Sequence, residues 1–325
     1  MRLVEVGEVF GFSSPMKVQA FEPGDPELDG LDGLVPTIDP AYRFDPEATL
    51  AILAGFEHDR RVLVTGAHGT GKSTHVEQVA ARLGWPCVRI NLDGHVTRMD
   101  LVGRDTVVVR DGRQVTEFAE GLLPFAIRRP VALVFDELDA GRPDVMFVIQ
   151  RILERDGRFT LLDQNEVIEP HHRFRLLATT NTLGLGDLTG LYRGTNVLNQ
   201  AQLDRWSVVA NLDYLPPATE AAMVLGQVPE LGERADGASL ASSMVALAGM
   251  TRTGFAAGDL STVMSPRTVV NWAENVAVFG SVEAAFRLTF VNRCDPGEWP
   301  VVGEYYQRVF DAELFPDGAS GDDGS

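Results

Sequence analysis

Cysteine and long apolar runs are scarce in this sequence. Only Cys87 and Cys294 occur in 325 residues, which excludes a disulfide framework and a cysteine-rich metal site within the chain. We therefore expect a cytoplasmic protein, because a reducing compartment suits a chain without disulfides. No stretch approaches the roughly eighteen apolar residues that span a bilayer, so we expect no membrane partner. The start of the chain, residues 1–12, carries charges and has no apolar core, and we expect no secretory signal there.

Basic charge is scarce as well. The chain has 28 lysines and arginines against 46 aspartates and glutamates, and its net charge is −18. Such a field repels a phosphate backbone, and no basic cluster is longer than a pair, so we expect no nucleic-acid partner. Lysine itself occurs only as Lys17 and Lys72. In a chain that otherwise uses arginine, this indicates a place where a compact ammonium group is needed.

The composition and the apolar pattern divide the chain into four parts. Residues 1–46 form an acidic N-terminal segment, mostly extended from residue 22 onward, with room for a small fold at its start. We predict an α/β domain over residues 47–215 and an all-helical domain over residues 216–312. Residues 313–325 are predicted to be a disordered acidic tail.

Short apolar runs and helical stretches alternate in the second part. Runs bounded by charge or glycine predict buried strands at 61–65, 87–91, 131–135 and 175–180. The predicted helices between and before them are 47–55, 72–83, 121–129 and 143–155. This alternation predicts a parallel sheet that is covered on both faces. Two β-hairpins are predicted as insertions, at 106–118 around Asp111-Gly112 and at 159–169.

A glycine-rich loop lies between the first of these strands and the helix that follows it. Residues 66–73 read Gly-Ala-His-Gly-Thr-Gly-Lys-Ser and fit the phosphate-loop pattern G-x-x-x-x-G-K-[ST]. Backbone N–H groups and the positive end of the next helix suit a triphosphate, so we predict that the loop binds ATP. The alternative is a turn with chance spacing, which the flanking strand and helix argue against. The predicted nucleotide-binding residues are Gly66, Ala67, His68, Gly69, Thr70, Gly71, Lys72, Ser73 and Thr74.

Side chains suited to Mg²⁺ and to water activation follow two other strands. Lys72 is predicted to contact the β- and γ-phosphates, and the Ser73 hydroxyl to ligate Mg²⁺. The strand at 131–135 runs into Asp136 and Glu137, at the end where ligands bind in such sheets. We predict that Asp136 holds Mg²⁺ through water and that Glu137 polarises the attacking water. The plainer alternative is a strand that runs into a solvated acidic loop.

An amide and several arginines complete the list of candidate catalytic residues. Asn181 ends the strand at 175–180, which can lie beside the phosphate-loop strand, and we predict that it contacts the γ-phosphate and the water. Arg205 is a candidate for a trans-acting arginine finger, with Arg193 as the alternative. Arg267 follows Ser265-Pro266 at a helix start, and we predict that it senses the γ-phosphate. Each arginine could instead be an ordinary surface residue.

The order of these motifs resembles the MoxR branch of the AAA+ ATPases. The resemblance covers roughly residues 1–310 and is densest across 60–215. A narrower resemblance, to the CobS family of aerobic cobaltochelatase subunits, rests on stretches outside the nucleotide chemistry as well as within it. These stretches are 69–75, 85–89, 139–151, 161–165, 184–187 and 190–192. Leu138 departs from the pattern, since an aromatic residue is expected after the Asp-Glu pair, but it has no catalytic role.

The resemblance implies an AAA+ P-loop core with a parallel sheet, β-hairpin insertions and a small helical lid domain. It implies an ATPase that drives Co²⁺ insertion into hydrogenobyrinic acid a,c-diamide in cobalamin biosynthesis. It also implies a hexameric homo-oligomeric ring and two partners. One is a CobT-type subunit with a metal-dependent adhesion domain, and the other is a large CobN-type subunit that holds the macrocycle.

Three rival functions remain open at this point. The chain could be a MoxR-type ATPase that matures another metalloenzyme through an adhesion-domain partner. It could be a motor on nucleic acid, which the net charge disfavours. It could be a nucleotide-locked scaffold, a reading that the intact set of candidate catalytic residues weakens.

Overall fold

The computed structural model describes residues 1–154, 156–182 and 200–314. The chain divides into two compact units. The α/β unit comprises Met1–Pro40, Phe44–Ala67 and Gly71–Leu212. The helical unit comprises Ala41–Arg43, His68–Thr70 and the chain from Asp213 onward. Among the described residues, no helix has the length and apolar character needed to cross a membrane.

A five-stranded parallel sheet forms the centre of the α/β unit. Its strand order is β11-β3-β10-β7-β4, and each neighbouring pair is parallel, which confirms the predicted sheet. The part of the chain that the structure describes also contains three antiparallel pairs outside this sheet, β1-β2, β5-β6 and β8-β9. The strands are β1 (Arg2–Glu5), β2 (Lys17–Ala20), β3 (Val62–Thr65), β4 (Cys87–Asn91), β5 (Gly103–Arg110), β6 (Arg113–Glu120), β7 (Ala132–Asp136), β8 (Phe159–Leu161), β9 (Glu166–Ile168), β10 (Arg175–Thr180) and β11 (Val208–Asn211).

Within the described residues of the α/β unit there are seven helices, and some of them begin with recognisable local signals. The Asp45 side chain accepts a hydrogen bond from the Ala48 N–H at the start of α2, and proline occupies the first helical position of α2 and of α6. The predicted helix at 143–155 ends earlier, at Ile152, and Arg155 lies outside the described residues. The helices are α1 (Val6–Phe10), α2 (Pro46–His58), α3 (Lys72–Arg82), α4 (Arg98–Val102), α5 (Leu122–Ile127), α6 (Pro143–Ile152) and α7 (Gln200–Leu203).

The sheet buries both of its faces, as its continuous apolar strands require. Successive residues of a strand point to opposite faces, so Leu133 and Phe135 of β7 join one buried cluster while Ala132 and Val134 join another. All five residues of β7 are buried. These two clusters form the hydrophobic core of the α/β unit, and they pack against the two faces of the sheet.

Residues Met1–Pro40 of the predicted acidic segment group with the α/β unit. Strands β1 and β2 pair with α1 between them, and Val4, Phe10 and Val18 join the buried cluster that contains α2 and α3 residues. Farther on, Leu28 and Leu31 are buried around two short 3₁₀ turns, Pro26–Leu28 and Asp32–Leu34. These few apolar side chains are enough to bring an otherwise acidic stretch onto the core.

Both predicted hairpins are present. The first is longer than predicted at both ends, and it turns at Asp111 and Gly112, whose φ angles are 50° and 78°. Positive φ at both central residues suits the tight turn that matches strand twist, which is why Asp-Gly marked it in the sequence. The second hairpin joins β8 and β9 through a short 3₁₀ turn that ends at Asn165.

Helices make up the described part of the helical unit beyond Asp213, in agreement with the prediction for 218–312. Their core is mostly aliphatic, and it includes the fully buried aromatic side chains of Trp272, Phe286 and Phe290. The ion pair between Arg252 and Glu220 is also buried. Of the predicted tail, residues 315–325 lie outside the described part of the chain. The helices are α8 (Pro217–Gln227), α9 (Pro229–Gly232), α10 (Gly237–Ala257), α11 (Pro266–Phe279), α12 (Val282–Thr289) and α13 (Trp299–Phe310).

Candidate functional site

The predicted phosphate loop connects β3 to α3. Gly71 is the N-cap of α3 and has φ of 87°, a left-handed conformation that glycine adopts without strain. The helix therefore begins directly at Lys72, with its free N–H groups at the end of the loop. Residues 68–70 of the loop group with the helical unit, while Gly66, Ala67 and Lys72 belong to the α/β unit.

Lys72 is buried at the end of the sheet and donates three hydrogen bonds. Its Nζ contacts the carbonyl oxygens of Gly66 and Ala67, both at 2.9 Å, and Asn181 Oδ1 at 2.8 Å. Burial lowers the pKa of the Lys72 ammonium from 10.5 to about 8. Nearby carboxylates act in the opposite direction and raise this pKa, Asp136 most strongly. A buried ammonium with a lowered pKa gains strongly from any negative charge placed beside it.

Asp136 stands at the C-terminal end of β7 and contacts three other side chains. Its Oδ1 accepts hydrogen bonds from the hydroxyls of Ser73 and Thr179, and its Oδ2 accepts from Arg89 Nε at 2.9 Å and from Arg89 Nη2. Burial alone would raise the pKa of Asp136, but the two hydroxyls and the Arg89 guanidinium outweigh burial and hold the pKa below its usual range. The carboxylate is therefore ionised at neutral pH.

Glu137 follows with an unusual backbone. Its φ and ψ are 54° and 50°, a left-handed conformation that costs a glutamate on the order of 1 kcal/mol or more. The Glu137 N–H donates to Thr179 Oγ1 at 3.1 Å, which helps to hold this conformation. The side chain is partly exposed. The left-handed conformation at Glu137 follows directly after Asp136, the last residue of β7.

Asn181 lies beside Lys72 because of the strand order. Strand β10 pairs with β3 on one side and with β7 on the other, and its place beside the phosphate-loop strand β3 was predicted from the sequence. The last β10–β3 pair is Thr180 with Thr65, so Asn181 and the loop both start at the same edge of the sheet. The structure therefore brings together Lys72, Ser73, Asp136, Glu137 and Asn181.

The ends of three parallel strands thus present oxygen and nitrogen groups suited to a metal–triphosphate. Ser73 Oγ and Asp136 Oδ1 are in hydrogen-bond contact, and hydroxyl and carboxylate oxygens are the ligands that Mg²⁺ prefers. This donor set fits a magnesium ion. Across the described residues, no group of three or more His, Cys, Asp or Glu side chains is arranged to hold a metal.

Two of the three candidate arginines, Arg205 and Arg267, fall within the described residues. Arg205 comes shortly before β11, and its Nε donates to Glu154 Oε1 at 2.8 Å within the same chain. Arg267 is exposed in the first turn of α11 in the helical unit. Arg193 lies outside the described residues. The catalytic roles given to these arginines, and to the residues at the strand ends, remain predictions.

Three residues of the site were not recognised from the sequence. Arg89 binds Asp136 from β4, Thr179 connects Asp136 to Glu137, and Asp139 binds the backbone after β10. Each had a signal in the sequence. Arg89 and Asp139 fall in stretches that resemble the CobS family, and Thr179 stands two residues before Asn181. Nothing local showed which partner each would reach.

The comparisons with known proteins agree with this geometry. A family described as "AAA domain (dynein-related subfamily)" matches residues 61–205, the part that carries the phosphate loop and the strand ends. The protein NorQ of Paracoccus denitrificans is 28% identical over 232 residues, which are 71% of this chain and 78% of NorQ. Midasin of Dictyostelium discoideum is 28% identical over 186 residues, which are 56% of this chain but 3% of midasin.

One relative matches almost throughout. The aerobic cobaltochelatase subunit CobS of Sinorhizobium sp is 60% identical over 312 residues, which are 96% of this chain and 91% of that protein. The similarity therefore includes both compact units as well as the phosphate-loop region. An AAA domain implies ATP binding, and the residues gathered around Lys72 are suited to it. The chain belongs to the CobS family, the AAA ATPase subunits of aerobic cobaltochelatase.

Proposed function

We propose that this chain hydrolyses ATP at the strand-end site and that the hydrolysis drives Co²⁺ insertion into hydrogenobyrinic acid a,c-diamide. The observation that carries the proposal is the meeting of Lys72, Asp136 and Asn181 at one edge of the sheet. The 60% identity to a CobS subunit supports the choice of reaction. In this proposal the chain supplies mechanical work, and the partner subunits hold the macrocycle and the cobalt.

Lys72 binds the β- and γ-phosphates of ATP. Its three donated hydrogen bonds go to protein oxygens, so phosphate oxygens must replace some of these acceptors. The exchange is favourable because a phosphate carries negative charge, which the carbonyl and amide oxygens around Lys72 lack. If the Asn181 amide is one of the groups that Lys72 releases, its side chain is free to contact the γ-phosphate and the attacking water.

Ser73 and Asp136 hold Mg²⁺ in this proposal. A bound magnesium ion supplies charge neutralisation on the β- and γ-phosphate oxygens. The Ser73 hydroxyl, which donates to Asp136 Oδ1, would offer an oxygen lone pair to the metal. Arg89 keeps its hold on the other carboxylate oxygen and so fixes the orientation of Asp136.

Glu137 orients and polarises the attacking water. Glu137 follows Asp136 directly in the chain, is partly exposed and has a left-handed backbone just past the end of β7. A carboxylate in this place accepts a proton from water as the oxygen attacks, which is general-base assistance worth about 10²–10⁴-fold in rate. Asn181 positions the same water from the neighbouring strand.

The arginines and the partners complete the proposal. Arg205 acts as a finger on the site of a neighbouring copy, Arg193 being the alternative, and Arg267 senses the γ-phosphate. Arg205 must then leave Glu154, its partner in the same chain. We propose a hexameric ring that works with a CobT-type adhesion-domain subunit and a CobN-type large subunit. The cytoplasmic location and the absence of a nucleic-acid partner stay predictions.

Reconstitution tests the proposal. The purified chain is mixed with CobT- and CobN-type partners, ATP, Mg²⁺, Co²⁺ and the diamide, and the absorbance change on metallation is recorded. Glu137→Gln should bind ATP normally, while its turnover and cobalt insertion fall by about 100-fold or more, because only the water-activating carboxylate is lost. Glu304→Gln makes the same chemical change at an exposed position and should behave as the wild type.

Two results would contradict the proposal. Cobalt insertion that proceeds without this chain would remove it from the reaction. If cobalt insertion proceeds at the normal rate with Glu137→Gln, either the insertion does not depend on ATP hydrolysis at this site or a residue other than Glu137 activates the water. A requirement for both the chain and hydrolysable ATP is the expected result.

A further inference from the structure

Asp139 is a fully buried carboxylate just beyond the end of β7. Its Oδ2 accepts three hydrogen bonds, all from the first two residues after β10. The donors are the backbone N–H of Asn181 at 3.2 Å, the backbone N–H of Thr182 at 2.9 Å and the Thr182 hydroxyl at 2.9 Å. Its Oδ1 is buried without a partner in the described structure. Burying a carboxylate away from water costs free energy unless hydrogen bonds compensate for the lost hydration. For Asp139 the compensating hydrogen bonds are the three that Oδ2 accepts.

These contacts replace a backbone ladder that has already ended. The pairing of β10 with β7 stops at Ala178 and Phe135, and the pairing of β10 with β3 stops at Thr180 and Thr65. Asn181 therefore lies past the last ladder pair on both sides. Two N–H groups at this point would otherwise have no strand partner, and a carboxylate that accepts from successive N–H groups fixes the direction in which the chain leaves the sheet.

The direction in which the chain leaves β10 determines where the Asn181 side chain lies. While its backbone N–H donates to Asp139, Asn181 offers its side-chain Oδ1 to Lys72 Nζ at 2.8 Å. A shift of the Asn181 backbone would carry the amide away from the place where the phosphate and the water are bound. Misplacement by about 1 Å can cost on the order of 10²-fold in rate.

We propose that Asp139 is a positioning residue for ATP hydrolysis, which acts through Asn181 by fixing the backbone of residues 181 and 182. The inference rests on the proposed ATPase function of the site. Asp139 itself touches neither nucleotide nor water in this role. Its loss therefore lowers the rate of hydrolysis while the affinity for the nucleotide, which depends on the phosphate loop, is kept.

The test is a pair of substitutions at Asp139, measured by kcat and KM for ATP and by the affinity for a fluorescent ATP analogue. Asp139→Ala removes the acceptor, and we expect kcat to fall by about tenfold or more, with KM and affinity within about threefold of the wild type. Asp139→Asn keeps a neutral oxygen acceptor, so its kcat should lie between the two. Asp163→Asn, at an exposed aspartate, is the matched control and should leave kcat unchanged.

A double substitution separates positioning from general damage. If Asp139 acts through the Asn181 side chain, Asp139→Asn should lower kcat much less in an Asn181→Ala background than in the wild type. Thermal unfolding of every variant shows whether the fold is kept, and Asp139→Asn remains informative if Asp139→Ala does not fold.

The outcomes are distinct. An unchanged kcat for Asp139→Asn and Asp139→Ala would overturn the inference, as would effects that multiply in the double variant or a parallel loss of nucleotide affinity. Lys72→Ala tests the underlying site. If Lys72→Ala still binds and hydrolyses ATP, the proposed function itself is wrong, whereas an inactive Lys72→Ala beside normal Asp139 variants sinks only the role of Asp139.

Discussion

Nucleotide binding should take up protons at mildly alkaline pH. The cause is Lys72, whose ammonium is buried, has a pKa of about 8 and donates to three uncharged protein oxygens. A triphosphate beside it favours the charged form and raises the pKa again. The protein that is neutral at Lys72 must therefore bind a proton as it binds the nucleotide, and the affinity must fall as the pH rises through 8.

The size of the effect follows from the pKa. With a pKa of about 8, Lys72 is uncharged in about one tenth of the molecules at pH 7, about half at pH 8 and about nine tenths at pH 9. If the bound nucleotide restores the charge completely, these fractions equal the number of protons taken up per site. Between pH 8 and pH 9 the affinity should decline by about fivefold, since the protonated fraction falls by that factor.

The same shift has a consequence for stability, and its sign can be worked out. The Lys72 pKa is lower in the folded protein than in the unfolded chain, so the unfolded chain binds more protons between about pH 8 and 10.5. The free energy of unfolding therefore gains from Lys72 as the pH rises through this window, by at most about 3 kcal/mol. Below pH 8 Lys72 is charged in both states, and the cost of burying it is fully present. Other groups also titrate in this range. Their contribution is the pH dependence of the unfolding free energy of the Lys72→Met variant, which is subtracted from that of the wild type.

Calorimetry in two buffers of different ionisation enthalpy measures the proton uptake directly. ADP and ATP are fully ionised on their phosphates at pH 8 and above, so their own titration does not contribute. Lys72→Arg is the matched control, because a guanidinium stays charged throughout this range and its proton uptake should vanish. An uptake below about 0.1 proton per site at both pH 8 and pH 9 would show that Lys72 is not protonated on nucleotide binding. With a pKa near 8, the expected uptake is about half a proton at pH 8 and about nine tenths at pH 9.

Three further predictions concern contacts elsewhere in the chain. Arg205→Ala should bind ATP but hydrolyse it poorly, and mixing it with Lys72→Ala subunits should restore part of the activity; no rescue in rings shown to be mixed would argue against a finger in trans. Arg252→Met leaves the buried Glu220 carboxylate unpaired and should cost about 3–5 kcal/mol in urea unfolding. Adding Glu220→Leu should recover most of that loss, and a further loss instead would mean that the pair itself stabilises the helical unit. Thr179→Val removes the hydroxyl between Asp136 and Glu137 and should lower kcat by about tenfold or more, whereas Thr179→Ser should retain it; equal rates would show that this hydroxyl does not order the site.

Local features of the sequence were sufficient for the elements and for the phosphate loop. Short runs of four to six residues predicted β3, β4, β7 and β10 to within one residue at each end. For β3, β7 and β10 the reason is that every residue of the strand is buried, which favours apolar and small side chains throughout. The loop could be recognised because its glycines, lysine and serine are adjacent in the chain. Asp111-Gly112 marked its hairpin turn for the same reason, since a turn is specified by its own two central residues.

Contacts between distant residues could not be obtained in this way. The partners of Asp136 come from α3, β4 and β10, and which strands stand beside β7 depends on the order of the whole sheet. Asp139 lies in a stretch that resembles the CobS family, but its partners became evident only from the strand order, which brings the end of β10 within its reach. The burial of Val4 and Val18 depends likewise on the core that α2 and α3 form. These contacts depend on the packing of the whole unit. A single hydrogen bond or apolar contact contributes too little free energy to order two distant residues by itself, so its partners meet only after the burial of many side chains has fixed the fold.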